Sequence, residues 1–220
     1  MRTIKTSKVR QESSRTRATG VPQDGIKSKE AILRAALKVF ACDGYDGASM
    51  PKIARLAQVA QPLSHYYFGS KEKLWRDTVD RSLGELRREA SVIRQATQAL
   101  APLDRLRALL QTITQFAARW PDHFVMIVAE ARSDSGRFAW INENYTGVLF
   151  DEIVAILQDA RDSGAIQNVD VTQLVPMLIG GILLHFTVRP NLLTEDELDK
   201  MSVEFTDLMF KMFLYGVAVR

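Results

Sequence analysis

Cysteine is almost absent from this chain: Cys42 is the single one among 220 residues. That excludes an intramolecular disulfide and any zinc site built from cysteines. Histidine is scarce too. None of His65, His123 and His185 has a glutamate three residues before it, so a ferritin-like Glu-x-x-His metal pattern is missing. Neither G-x-S-x-G, a Walker P-loop nor H-E-x-x-H occurs. The longest apolar run, Leu174 to Phe186, falls short of the ~20 residues that span a bilayer. The basic N-terminus lacks the apolar core of a secretory signal. These absences predict no catalytic residues, no metal, no cofactor, no membrane association and a cytoplasmic location.

What is present is an ordinary globular balance, 46% hydrophobic and 25% charged, which excludes wholesale disorder. The net charge of +3 hides an asymmetry. Residues 1–25 carry six basic side chains (Arg2, Lys5, Lys8, Arg10, Arg15, Arg17) against Glu12 and Asp24. Residues 26–80 are also net basic, whereas residues 81–220 hold 14 basic and 18 acidic side chains. A basic front and an acidic back point to a polyanion meeting the first third.

Residues 1–25 show no hydrophobic period and read as a basic, disordered arm. Helical spacing begins with Ile32, Ala35, Ala36, Val39 and Phe40 and stops at Gly44. Ser49 is an N-cap with Pro51 in the first turn of a second helix, Ser49–Ala57. A third runs Gln61–Phe68, and Ser70 caps a fourth carrying Leu74, Leu83 and Leu86. Further helices are expected from Pro102 to before Pro121, over about Asp122–Arg132, over about Arg137–Ser163 ending at Gly164, from Asp170 or Thr172 through Phe186, and over about Glu195–Tyr215. No stretch alternates with period two for long. The prediction is an all-α chain of about nine helices: a helix-turn-helix domain over 26–80 and a larger helical domain over 81–220.

Two short helices joined by a tight turn have the spacing of a DNA-binding helix-turn-helix, whose second helix enters the major groove. At 100° per residue, Gln61, Pro62, His65 and Tyr66 share one arc, and Phe68 falls on another as a core anchor. Gln61 suits adenine N6 and N7, Pro62 a thymine methyl, and Lys71 at a helix start suits phosphate. The expected DNA-facing set is Ser49, Pro51, Lys52, Gln61, Pro62, Leu63, His65, Tyr66, Tyr67 and Lys71.

The run Ile32-Leu33-Arg34-Ala35-Ala36 through Val39-Phe40 and Gly44-Tyr45 resembles the first helix of the tetracycline-repressor (TetR) family. Ser49 through Ile53-Ala54 and Ala57-Gln58-Val59 resembles its second helix and turn. Gln61-Pro62-Leu63-Ser64-His65-Tyr66-Tyr67-Phe68-Gly69-Ser70-Lys71-Glu72 is similar to its recognition helix and the start of helix four. The resemblance covers about residues 28–76. It departs where Gln58 replaces the usual glycine, Ala60 the usual serine cap, and Ser64 a larger apolar residue.

The resemblance implies a repressor on a palindromic double-stranded operator, released by a small-molecule effector, with a homodimer formed through the last two helices. Candidate pocket residues are Phe116, Trp120, Phe124, Met126, Trp140, Tyr145, Met177, His185 and Phe186. Their aromatic character and the acidic body suggest an apolar or cationic effector. Gly180-Gly181 predicts a bend or a close helix approach. An architectural protein binding nucleic acid nonspecifically, or a small all-α enzyme, are the alternatives at this level.

Overall fold

The structure, a computed structural model, describes residues 23–188 and 195–217. It is all-α, with nine helices among the described residues. They are α1 (Gln23–Gly47), α2 (Met50–Leu56), α3 (Gln61–Phe68), α4 (Lys71–Thr97), α5 (Pro102–Arg119), α6 (Pro121–Ala131), α7 (137–162), α8 (Val171–Val188) and α9 (Glu195–Val217). Helix α7 is built from Arg137–Ile141, a single π turn at Asn142–Thr146, and Gly147–Asp162.

Most helix ends follow the local chemistry. Ser49 Oγ accepts the Lys52 N–H at 3.4 Å and Ser70 Oγ accepts the Lys73 N–H at 3.1 Å, each satisfying an orphan donor of a first turn. Asp170 caps α8 through Thr172, accepting its backbone N–H at 3.0 Å and its hydroxyl at 2.6 Å. Both bonds favour the ionised form and hold the Asp170 carboxyl below the usual range. Helical geometry in α1 breaks at Gly44, where φ is 69°. At its other end α1 starts earlier than expected. Gln23, Asp24 and Gly25, assigned to the arm, form its first turn, and a Glu30–Arg81 ion pair at 3.0 Å fixes the following turns to α4. The rest of the expected arm, residues 1–22, lies outside the described residues.

One continuous hydrophobic core runs from Ile32 in α1 to Phe213 in α9. Helix α1 packs on α4 and α6, while α5 sits centrally against α4, α7, α8 and α9. Phe40, Phe68 and Trp75 are almost fully buried where α1, α3 and α4 meet. Each such side chain contributes ~1.5–3 kcal/mol on leaving water. The expected boundary at residue 80 falls inside α4, which continues unbroken to Thr97.

Candidate nucleic-acid interface and the cavity behind it

The turn between α2 and α3 is closed by backbone bonds from Gln58 N–H to the Arg55 carbonyl and from Val59 N–H to the Ala54 carbonyl. It demands φ = 56° at Gln58, a left-handed conformation that glycine adopts more cheaply. Ala60 gives α3 no side-chain cap, and Pro62 supplies the preset φ of a first helical turn instead. Phe68 and Ser64 face inward. Ser64 is fully buried, and its hydroxyl has no hydrogen-bond partner among the described residues, a local cost of ~1–3 kcal/mol.

The opposite face of α3 is open. Gln61, Pro62, His65 and Tyr66 are exposed together, Tyr66 to 82%. Leu63 and Tyr67 are half-buried, with the Tyr67 ring packed edge-on between Tyr66 and Phe68 at 5.3 and 6.3 Å. Ser49, Pro51 and Lys52 are exposed at the start of α2, and Lys52 pairs with Asp43.

Lys71 turns inward. Its ammonium donates to the carbonyls of Tyr45 (2.9 Å), Asp46 (3.4 Å) and Ala48 (3.1 Å), and lies 4.4 Å from the Tyr45 ring centre. All three N–H donors of this expected phosphate ligand are engaged by the frayed end of α1. The lysine therefore latches the α1–α2 corner to the start of α4.

Tyr45 also carries the link to the rest of the molecule. The Arg137 guanidinium, at the start of α7, lies 3.8 Å from the Tyr45 ring centre on one side and 2.8 Å from the buried Glu130 carboxylate on the other. Trp140, one turn along α7, packs on Trp75 of α4 at 5.6 Å. Tyr145 donates its hydroxyl to Asp80. Burial first, and that carboxylate second, push its pKa up to about 12. Between α4 and α6, the Nε2 of His123 is 2.6 Å from Ser82 Oγ. The imidazole is fully buried, which lowers its pKa to about 3 and keeps it neutral.

Behind these contacts, helices α4 to α8 line a partly open apolar cavity of about 290 Å³, with Val128, Ala131 and Asn142 at its exposed rim. Leu83 and Leu86 form its α4 wall, Phe124 and Ile127 its α6 wall, and Ile179 and Leu183 its α8 wall. Of the expected pocket residues only Phe124 lines it. Phe116, Met126 and Phe186 are core side chains, and Trp140 is spent on Trp75. Trp120 borders a hollow against α1 beside Arg34 and Leu37. Tyr145 lines an adjoining groove of about 340 Å³ with Arg87 and Arg94. His185 stacks on Phe205 at 4.1 Å, and Met177 is 72% exposed on the outer side of α8. The physical reason is that Phe116, Met126 and Phe186 bury where helices converge and Trp120, Trp140 and Tyr145 pack against other elements, which leaves the gap to aliphatic chains together with Phe124, Phe138 and Phe150. Leu83 and Leu86, at helical spacing, were the one legible sign of that wall.

A model of bacterial regulatory proteins of the tetR family matches residues 32–77, the segment that holds the latch and the open face of α3. A transcriptional repressor of Pseudomonas putida, NicS, is 31% identical over 150 residues, covering 68% of this chain and 69% of that protein. The chain belongs to the TetR family. This TetR-family chain is thus a DNA-binding transcriptional regulator, and its curated relatives are regulators. The regulator BetI of Rhizobium meliloti is 36% identical over 117 residues, spanning 51% of this chain and 57% of that one. The ketosteroid transcriptional regulator KstR2 of Mycobacterium tuberculosis shares the fold, with a TM-score of 0.73 over 92% of this chain and 99% of that one at 18% identity. No helix among the described residues is long and apolar enough to cross a membrane.

Proposed function

We propose that this TetR-family regulator is a repressor that binds a palindromic operator as a homodimer and leaves it when a small molecule fills the cavity bounded by α4 to α8. The observation that carries the DNA side is the open face of α3. Gln61, Pro62 and His65 are exposed in the first turns of α3, where bases would be read, while Phe68 fixes the helix from behind. Ser49, Pro51, Lys52, Leu63, Tyr66 and Tyr67 surround that set and position the phosphate backbone. Lys71 serves by holding the corner in place.

Dimerisation through the last two helices is supported by their outer faces. Met177 and Leu184 on α8 and Leu208 and Met212 on α9 are more than half exposed. Between the first two, Gly180 and Gly181 have no heavy atom within 4 Å of where a Cβ would sit. A glycine pair in an exposed apolar stripe admits the backbone of a second copy, which favours the close approach over the bend among the two outcomes expected of Gly180-Gly181. Response to the small molecule follows from α4, which starts at Lys71 and walls the cavity with Leu83 and Leu86 about 20 Å further on. Two reading helices must meet grooves ~34 Å apart, so a modest tilt of each α4 spoils the fit.

The test is footprinting of the full chain on DNA flanking its own gene, followed by titration of the protected site. A protected palindrome that outcompetes random DNA by ~10³-fold or more is expected. Equal affinity for both would overturn the reading in favour of nonspecific binding.

A further inference from the structure

From the cavity lining we infer that the effector is a small, uncharged, mostly apolar molecule carrying one carbonyl or hydroxyl group, and that Asn142 and Thr146 read that group. The inference rests on the cavity being the effector site. Its lining is hydrocarbon except at Asn142 and Thr146, the first and last residues of the π turn in α7. Thr146 Oγ1 donates to Asn142 Oδ1 at 3.2 Å. That bond uses the threonine proton and orients the amide. The Asn142 N–H groups remain as donors and the Thr146 oxygen lone pairs as acceptors. A carbonyl takes the first, and a hydroxyl takes either.

Four residues apart, the two side chains share one face of α7, at its π turn. The closing bond of that turn runs from the Gly147 N–H to the Asn142 carbonyl. A Cβ on residue 147 would lie 2.7 Å from that carbonyl oxygen, closer than real Cβ contacts allow, so glycine is required there. The Trp140 carbonyl, within the same irregular stretch, is taken up by the Asn144 side-chain amide at 2.8 Å. Such interruptions of the helical ladder gather at functional sites, because the turn costs stability and re-aims side chains.

Charge is excluded by the same lining. A carboxylate or ammonium among Leu86, Phe124, Ile127 and Leu183 would lose its hydration without a counter-ion. The acidic body therefore does not select a cationic effector, since none of its carboxylates lines the cavity. Arginines 87 and 94 line only the adjoining groove, across the wall made by Leu83, Leu86, Thr146 and Leu149. At about 290 Å³ the cavity lies just under the ~300–1,000 Å³ range of ligand pockets, which limits the ligand to a small one.

Four probes on one skeleton separate the possibilities: 4-phenylbutan-2-one, butylbenzene, 4-phenylbutanoate and 4-phenylbutylammonium. Calorimetric titration into the full chain is expected to rank the ketone about fivefold above the hydrocarbon and at least ~10-fold above either ion. N142L/T146V should bring ketone affinity down to that of butylbenzene and leave butylbenzene unchanged. Asn142→Ala, at an exposed position, should remove most of the ketone preference without disturbing folding. An ion binding as tightly as the ketone would overturn the inference, and binding of the anion would move the head group to Arg87 and Arg94. An unaltered ketone preference in both variants, or no binding of the ketone at millimolar concentration, would overturn it too. Repeating the titration with operator DNA separates the two levels. If the ketone binds selectively but leaves DNA affinity unchanged, the ligand class stands and the effector role fails. Release by ions and ketone alike would do the reverse.

Discussion

The two ends of this regulator present their chemistry in opposite directions. Around α3, the polar side chains Gln61, His65 and Tyr66 face outward on a helix pinned by Phe68. In the body, Asn142 and Thr146 turn toward a cavity whose other walls are apolar. A surface proposed to meet DNA, which is already hydrated and highly charged, needs exposure and spacing. A cavity proposed to take a ligand out of water needs apolar walls and very few polar groups. Between them, the Tyr45 ring lies against both Lys71 and Arg137. A side chain at either end can thus matter for the whole molecule or for one end alone, and substitutions tell these apart.

The largest effect is expected where the ends are joined. Arg137→Ala leaves the Glu130 carboxylate, 3% exposed, with only the Ser135 hydroxyl as a side-chain partner. Unfolding by denaturant should show a loss of about 3 kcal/mol, whereas Lys52→Ala, which breaks the exposed pair with Asp43, should cost under ~1 kcal/mol. Equal small losses would mean that the two ends are not tied through Arg137.

Between pH ~6.5 and ~5, acid probes the body through His123. His123 has a folded pKa of about 3 against an ordinary 6.5, so the unfolded chain takes up the proton first as pH falls. Stability from keeping this group neutral is full above pH ~6.5 and declines by about 1.4 kcal/mol per unit below it, reaching about 2 kcal/mol at pH 5. The same titration on His123→Gln should show a flatter profile over that window. An identical slope would remove His123 from the account.

At the reading face, Gln61→Ala should cost ~1–3 kcal/mol of operator affinity and relax preference at one base pair per half-site, with the melting temperature unchanged. Lys71→Ala should behave differently from a phosphate ligand. Freeing three carbonyls should lower stability by ~1–2 kcal/mol. The slope of affinity against salt should stay the same. A slope reduced by about one would return Lys71 to direct phosphate contact. The smallest effect is a gain: Gln58→Gly relieves φ = 56° and should add about 1 kcal/mol, seen as a rise of ~2–4 °C in Tm.

Helix positions and the exposed arc of α3 were readable in the amino-acid order alone. Caps, turn residues and helical periods act over a few positions, so Ser49, Gly69, Ser70 and the arc of α3 were legible without any partner helix. The direction of Lys71 was not legible, because its acceptors lie 23 to 26 residues earlier on another helix. Nor was the cavity. Its lining comes from five helices, and whether a ring fills the core, as Phe116 does, or faces a gap, as Phe124 does, depends on how those helices converge. The π turn at Asn142–Thr146 leaves no periodic signal, only a glycine five residues on from its start. Short-range hydrogen bonding is written residue by residue, while empty space belongs to the packing of the whole chain, and tertiary structure alone decides where it opens.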